Sequence, residues 1–136
     1  MLKPIDEKYA SRYELEPAFG RGSVSFYTRT GHAFVAIEDA VATGFVLGQA
    51  IFDGNRALLF VSRLAATDAA GIESRRALAE AVTKSAYDAG VYDVLVLLPE
   101  ADRAGQVAME QARYRRSPVQ LFGRVLGSRG LAGKDG

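Results

Sequence analysis

Apolar and polar residues recur along this chain in two rhythms, and the switch between them divides it into a strand-rich half and a half in which helices and strands alternate. From His32 the pattern is that of β-structure. Ala33-Phe34-Val35-Ala36-Ile37 is followed by an acidic turn at Glu38-Asp39, and then by the long apolar run from Gly44 to Phe52. Asp53-Gly54-Asn55 is a hairpin signal, and Ala57-Leu58-Leu59-Phe60-Val61 restarts at once as a third strand, which predicts an antiparallel meander. After Ala65-Ala66-Thr67-Asp68 the period changes. Leu78, Ala81, Val82, Ser85, Ala86 and Ala89 fall on one face of a helix that Gly90 ends. Arg76, Glu80, Lys84 and Asp88 recur every fourth residue as its solvated face. Val91 to Leu98 is almost continuously apolar, the pattern of a strand covered by helices on both faces, and strand, helix, strand then implies a right-handed parallel crossover.

Pro99 ends that strand. A second helix is predicted from Asp102 to Arg113, with Ala101, Ala104, Ala108 and Ala112 permitting close approach to a sheet. Past Pro118, Val119 to Leu126 predicts a last strand. Upstream, Pro4 to Glu16 predicts a helix with an imperfect stripe of Ile5, Tyr9 and Tyr13; Pro17, Gly20 and Gly22 interrupt it, and Ser23 to Tyr27 reads equally as a short helix or the start of a strand. Gly127 to Gly136 carries a glycine at every third position and predicts a flexible tail. The expected organisation is one domain over residues 1–126 and a tail over 127–136.

Composition narrows the chemistry. With 136 residues, 49% hydrophobic and 24% charged, the chain has the make-up of an ordinary globular domain. A net charge of +1 supplies no general field for nucleic acid or an anionic membrane, which argues against both as partners. The absence of cysteine excludes disulfides, thiolate metal sites and a thiol nucleophile, and a lone histidine excludes a multi-histidine centre, so no metal is expected. Met1 to Glu7 turns acidic before a signal-peptide core can form, and the expectation is a cytoplasmic protein. His32 falls at a predicted turn and reads as a solvated residue. Glu14, Glu16, Glu38 and Asp39 suit either an amine pocket or plain solvation, and Arg113, Arg115 and Arg116 read as rim charge.

The order of meander, long helix, buried strand, second helix and final strand resembles the GNAT N-acetyltransferase superfamily over most of the chain. Ala33 to Ile37 and Gly44 to Gly48 look like that family's second and third strands. Leu78 to Gly90 is similar to its long helix, and Asp102 through Tyr114 resembles the segment that in the family begins with Asn and ends in Gly-Phe. Arg29-Thr30-Gly31-His32, Lys84 to Tyr92 and the ending Arg124 to Gly130 look like a small bacterial branch of GNAT-like proteins with no assigned activity. The resemblance implies a three-layer α/β (α+β) fold, with a mixed, mostly antiparallel twisted sheet flanked by helices. It also implies acetyl-CoA as cofactor, in a cleft where Arg63, Leu64 and Ala65 splay from the strand ending at Leu98.

The family motifs are degenerate here. A loop of pattern Gln/Arg-x-x-Gly-x-Gly/Ala holds the coenzyme A pyrophosphate in the family, on bare amides at the helix N-terminus. Counted back from Leu78 and Gly90, its glycines fall on Glu73 and Arg75 and its leading residue on Ala70; a second register keeps Gly71-Ile72-Glu73 on the motif. In either register Glu73 places a carboxylate near the phosphate position. By the resemblance, the groups facing the coenzyme are Leu64, Ala65, Ile72, Glu73, Ser74, Arg75 and Arg76. The two arginines allow two readings. If the helix starts near Glu73 they oppose its dipole unless they face an anion; if Thr67 or Asp68 caps an earlier start, they sit mid-helix, and Asp before an Ala-rich run favours that start.

The tyrosine with which many members protonate the leaving thiolate falls on Met109, whose thioether cannot donate, and Gly-Phe becomes Arg113-Tyr114, with Tyr114 reading as a packing residue. Leu58 to Leu64 holds no carboxylate to serve as base. No catalytic residue is assigned. Two functions stand side by side: an acyl-CoA-dependent N-acyltransferase acting on a small-molecule or peptidyl amine, and a catalytically silent ligand- or partner-binding module that forms a homodimer through the last strand and tail; a homodimer is the expected assembly.

Overall fold

Five strands form one sheet in sequence order: β1 (Leu2–Pro4), β2 (His32–Glu38), β3 (Val41–Phe52), β4 (Ala57–Ala66) and β5 (Val94–Val96). The structure is a computed structural model and describes residues 2–5, 27 and 29–127. Strands β1 to β4 pair antiparallel, while β5 joins β4 in parallel after a crossover through helix α1 (Gly71–Asp88). A shorter helix, α2 (Arg103–Gln111), follows β5. The fold is thus α+β, with a mixed and mostly antiparallel sheet, as expected.

The meander forms where its pattern puts it. Asp39 and Ala40 turn β2 into β3 with φ of 51° and 64°, the two positive values of a type I′ turn whose twist suits the flanking strands. Asp53 closes the next hairpin by accepting hydrogen bonds from the Asn55 and Arg56 amides, with Gly54 at φ 94°. Helix α1 ends in a Schellman motif. Gly90 takes φ 76°, its N–H donates to the Tyr87 carbonyl, the Val91 N–H donates to the Ala86 carbonyl, and Val91 is buried beneath the turn.

Along α1, Leu78, Ala79, Val82 and Ala86 are completely buried and form the main core with Val46, Leu59, Val61 and Leu64. Two glycines of β3 set how close the helix lies. A Cβ at Gly44 would stand 3.1 Å from Leu78 Cδ1, and one at Gly48 would stand 3.3 Å from Val82 Cγ2. A second core of Ile5, Ala33, Val35, Ala42, Phe45 and Leu47, with Tyr27 against it, occupies the other face.

Three expectations change. Pro4, predicted to begin a helix, instead ends β1, in which Leu2 faces Ala36 and Pro4 faces Phe34; three residues are too few to carry a readable alternation. Ile5 follows it into the second core rather than into a helix, while residues 6–16 of that predicted helix, the interruption at 17–26 and residues 128–136 of the predicted tail lie outside the described residues. The apolar run 91–98 gives only the short β5, and Val94 to Leu98 are half-buried rather than covered on both faces. Val119 to Leu126 form no strand, because nothing among the described residues pairs with them; Val119, Leu121, Phe122, Val125 and Leu126 are all exposed.

Helix α2 carries one local strain. Asp102 caps its start by accepting from the Gly105 N–H at 2.9 Å. Its end is a second Schellman turn, in which Tyr114 N–H donates to the Met109 carbonyl and Arg113 N–H to that of Glu110. The left-handed position of that turn holds Arg113 at φ 69°, where glycine is the unstrained choice. Arg113→Gly is expected to raise the unfolding free energy by about 1 kcal/mol, read from urea denaturation.

Candidate functional site

A cleft opens where β4 outruns β5. The two strands pair only from Leu59 opposite Val94 to Val61 opposite Val96, with the Leu97 N–H donating once more to the Val61 carbonyl; β4 then continues to Ala66. A bulge re-aims β4 at that point. Gly48 faces Val61 and Leu47 faces Arg63, so Ser62 is the extra residue. Beyond it the Thr67 N–H donates to the Thr43 carbonyl at 2.9 Å. By the alternation of antiparallel pairing, Arg63, Ala65 and Thr67 turn their backbone groups toward β3. Leu64 and Ala66 therefore turn theirs toward the side that β5 has left.

The helix mouth borders this cleft. A 3-10 turn over Asp68–Ala70 leads into α1, with Thr67 at its cap but making no side-chain hydrogen bond. The helix proper starts at Gly71, between the two starts considered from sequence. The turn uses the first amides: Ala70 N–H donates to the Thr67 carbonyl and Gly71 N–H to that of Asp68. Helix geometry leaves the Ile72 and Glu73 amides without intrahelical acceptors, beside the exposed Glu73 carboxylate.

Neither arginine holds its charge toward that mouth. Arg75 is 6% exposed and folds back beneath the turn, donating to the Gly71 carbonyl at 2.7 Å, to Ala66 at 3.0 Å and to Thr67 at 3.5 Å. A buried guanidinium must find acceptors, and these three carbonyls supply them, although its Nε remains without a partner. Arg76 pairs with Glu80 one turn along the exposed face, at 3.0 Å. Of the remaining expected residues, Leu64 is buried with its backbone toward the cleft, Ala65 is half-buried and packs on the second core with its backbone toward β3, and Ser74 is half-buried in the first turn.

Proton-handling groups lie elsewhere. Met109, at the family tyrosine position, is buried in the main core. Tyr114 is half-buried; its hydroxyl meets Thr83 Oγ1 at 2.5 Å, that hydroxyl in turn donates to the Ala79 carbonyl at 2.7 Å, and burial raises the phenol above its ordinary value of 10.0. One hydroxyl pair carries no signal in the sequence. Tyr27 and Ser62 share a hydrogen bond at 2.8 Å on the bulge itself, on the sheet face that carries the second core, and the bulge that exposes Ser62 is invisible in the pattern.

His32 is corrected from a solvated residue to a buried one. It is 8% exposed, its Nδ1 hydrogen-bonds Ser85 of α1, and burial lowers its pKa from the ordinary 6.5. Among the described residues no three acidic or histidine side chains gather as a metal site, and no helix is long and apolar enough to cross a membrane.

The family model described as protein of unknown function (DUF1999) matches residues 18–130. Wild-type TTHA1254 from Thermus thermophilus is 36% identical, with a TM-score of 0.80 over 95% of this chain and 99% of that one. Two more distant structures share the fold. A ribosomal-protein-alanine N-acetyltransferase from Brucella melitensis biovar Abortus 2308 is 16% identical, with a TM-score of 0.70 over 93% of this chain and 99% of that one. AAC(6')-Iy, in complex with the bisubstrate analogue CoA-S-monomethyl-acetylneamine, is 14% identical, with a TM-score of 0.69 over 93% and 98%. No curated protein matches the sequence.

The two arginines should separate in stability. Arg75→Ala removes a buried guanidinium from three half-buried carbonyls and is expected to cost about 1.5–3 kcal/mol in urea unfolding, whereas Arg76→Ala stays within about 0.5 kcal/mol. His32 sets a pH dependence of defined sign. Its folded pKa lies below 6.5, so the unfolded chain binds the proton more readily, and stability is whole above pH 6.5 and declines as pH falls below it. Thermal melts between pH 7.5 and 5.5 are expected to show that decline, and His32→Gln, with no other histidine in the chain, to flatten it.

Proposed function

This chain belongs to the DUF1999 family and has the GNAT acetyltransferase fold, and on that footing we propose that it binds an acyl-CoA in the cleft between β4 and β5 and transfers the acyl group to a small-molecule or peptidyl amine. The observation that carries this reading is the bulge at Ser62, which frees the Leu64 amide and carbonyl toward the cleft. An extended amide chain such as the pantetheine arm needs one donor and one acceptor in strand-like register, and Leu64 offers both without any special side chain. That a protein of the same fold was solved with a CoA-containing analogue supports the assignment.

The fit differs along the ligand. At the phosphate end the Ile72 and Glu73 amides provide what binding there is, opposed by the Glu73 carboxylate and unaided by Arg75, whose two terminal nitrogens are committed to carbonyls. An acyl-CoA supplies an activated thioester. Relay of the proton from the amine falls to hydroxyls, of which the Tyr27–Ser62 pair lies on the bulge, because Met109 has none to offer. A reducing cytoplasm suits a chain without cysteine and is the setting we assign.

Met109 and the committed Arg75 favour a second reading, a GNAT-fold module that binds its ligand without turnover. The two separate on thiol release, which the transferase gives with acetyl-CoA and an amine panel and the silent module does not. Glu73→Gln tests the shared premise. It is expected to tighten coenzyme A by about twofold to fivefold in calorimetry, as removal of one exposed repulsive charge of up to ~1 kcal/mol would, and to leave the affinity for pantetheine unchanged. Absence of heat with millimolar coenzyme A, for both the unaltered chain and the variant, overturns the acyl-donor reading.

A further inference from the structure

The two faces of the sheet are tied together where β2 begins. His32, the first residue of β2, stands opposite Gly48 of β3, and Gly48 stands opposite Val61 of β4, the residue just before the bulge at Ser62. One row across three strands thus runs from His32 to the bulge. On the α1 face of that row His32 meets Ser85, and on the other face Tyr27 packs against the second core and shares its hydrogen bond with Ser62. Tyr27 and His32 are only five positions apart, so residues 29–31 carry the chain from one face toward the other.

A run of hydrogen bonds holds that passage. Ser85 Oγ donates to the Gly31 carbonyl at 2.9 Å, and His32 Nδ1 lies 2.5 Å from the same oxygen. A serine hydroxyl has one proton, and here it is directed at Gly31. Nδ1 is therefore the protonated nitrogen of the ring and donates to Ser85. The His32 N–H donates to Thr30 Oγ1 at 3.1 Å, and the Thr30 N–H and hydroxyl both donate to the Tyr27 carbonyl, at 3.4 and 3.3 Å. Gly31 bends the chain at φ 74°, and no atom beyond its neighbours lies within 4 Å of where a Cβ would stand, so at that point hydrogen bonds rather than packing set the bend. At the other end, Ser62 Oγ donates to the Leu47 carbonyl at 3.4 Å, which makes the phenol of Tyr27 the donor to Ser62.

We propose that Ser85 and His32 are positioning residues for the hydroxyl pair at the bulge: acting from the α1 face, they set the placement of the Tyr27 hydroxyl against Ser62 on the opposite face. The two members of the pair are held differently. Ser62 is fixed by its own strand and by Leu47, whereas Tyr27 precedes β2 and takes the start of its side chain from the turn that Ser85 clasps. The consequence for turnover rests on the acyl-transfer reading, in which this pair relays the proton of the amine; the coupling between the two faces does not.

The phenol itself reads the coupling. With tyrosine labelled with carbon-13 at Cζ, the signal of Tyr27 is picked out from those of the six tyrosines by its loss in Tyr27→Phe. That signal is expected to move in Ser85→Ala, to return in Ser85→Thr, which keeps the hydroxyl, and to hold in His32→Asn, which keeps an N–H donor where Nδ1 stands. Where Ser85→Ala does not melt cooperatively, His32→Leu, which removes the donor to Ser85, takes its place. In acetyl transfer to an amine panel, Ser85→Ala is expected to lower kcat about as far as Tyr27→Phe does, by about tenfold or more, with the affinity for coenzyme A unchanged and the double variant falling no further than either single one. A Tyr27 signal unmoved in a folded Ser85→Ala or His32→Leu chain overturns the proposal, as do losses in kcat that multiply in the double variant. If the unaltered chain transfers nothing, the acyl-transfer reading fails, and the Tyr27 signal still decides the coupling.

Discussion

The distance between α1 and the sheet governs this structure, and two missing side chains set it. Gly44 and Gly48 lie four apart on β3, and Leu78 and Val82 lie four apart on α1, each glycine under one of those side chains. The pairing also sets a direction: Leu78, nearer the N-terminus of α1, stands over Gly44, and Gly44 pairs with Ala66 at the end of β4, so the N-terminus of α1 lies toward that end. The cleft and the mouth of the helix thus inherit their relation from the packing of the core, before any site residue is considered.

Arg75 shows how that junction is held. The guanidinium lies under the turn and gathers carbonyls from the last residue of β4, the residue after it and the first residue of the helix. It works as an internal clamp rather than as an anion receptor, which is why the mouth presents bare amides and a carboxylate in place of a positive charge. For the acyl-donor site we propose, this leaves binding to shape and backbone dipoles, with discrimination in the arm of the ligand more than in its phosphates.

Much of this was legible in the sequence. The period of Leu78, Val82 and Ala86 located the buried face of α1, and Gly90 located its end, because a helix repeat and a left-handed stop are local signals. The start of α1 was not legible, since a buried arginine carries no apolar signature and the 3-10 turn has none of its own. Likewise, Leu64 could be nominated, but the reason its backbone faces the cleft is a bulge defined against Leu47 and Gly48, residues on another strand. His32 was misjudged because its burial depends on Ser85, far along the chain on α1. The strand at 119–126 was misjudged for a related reason: strand character is written in a sequence, but pairing belongs to whatever lies alongside.

Tyr114 links these observations. Its hydroxyl is fastened to Thr83, half-way along α1, so the residue that follows α2 is anchored to the helix at the centre of the fold. The chain beyond it leaves from a fixed point and in a fixed direction. That tie fixes where the chain beyond α2 begins and restricts the freedom of the residues next to it. Tyr114, which stands where the family has the Phe of Gly-Phe, thus serves as a mechanical tie from the end of α2 to α1.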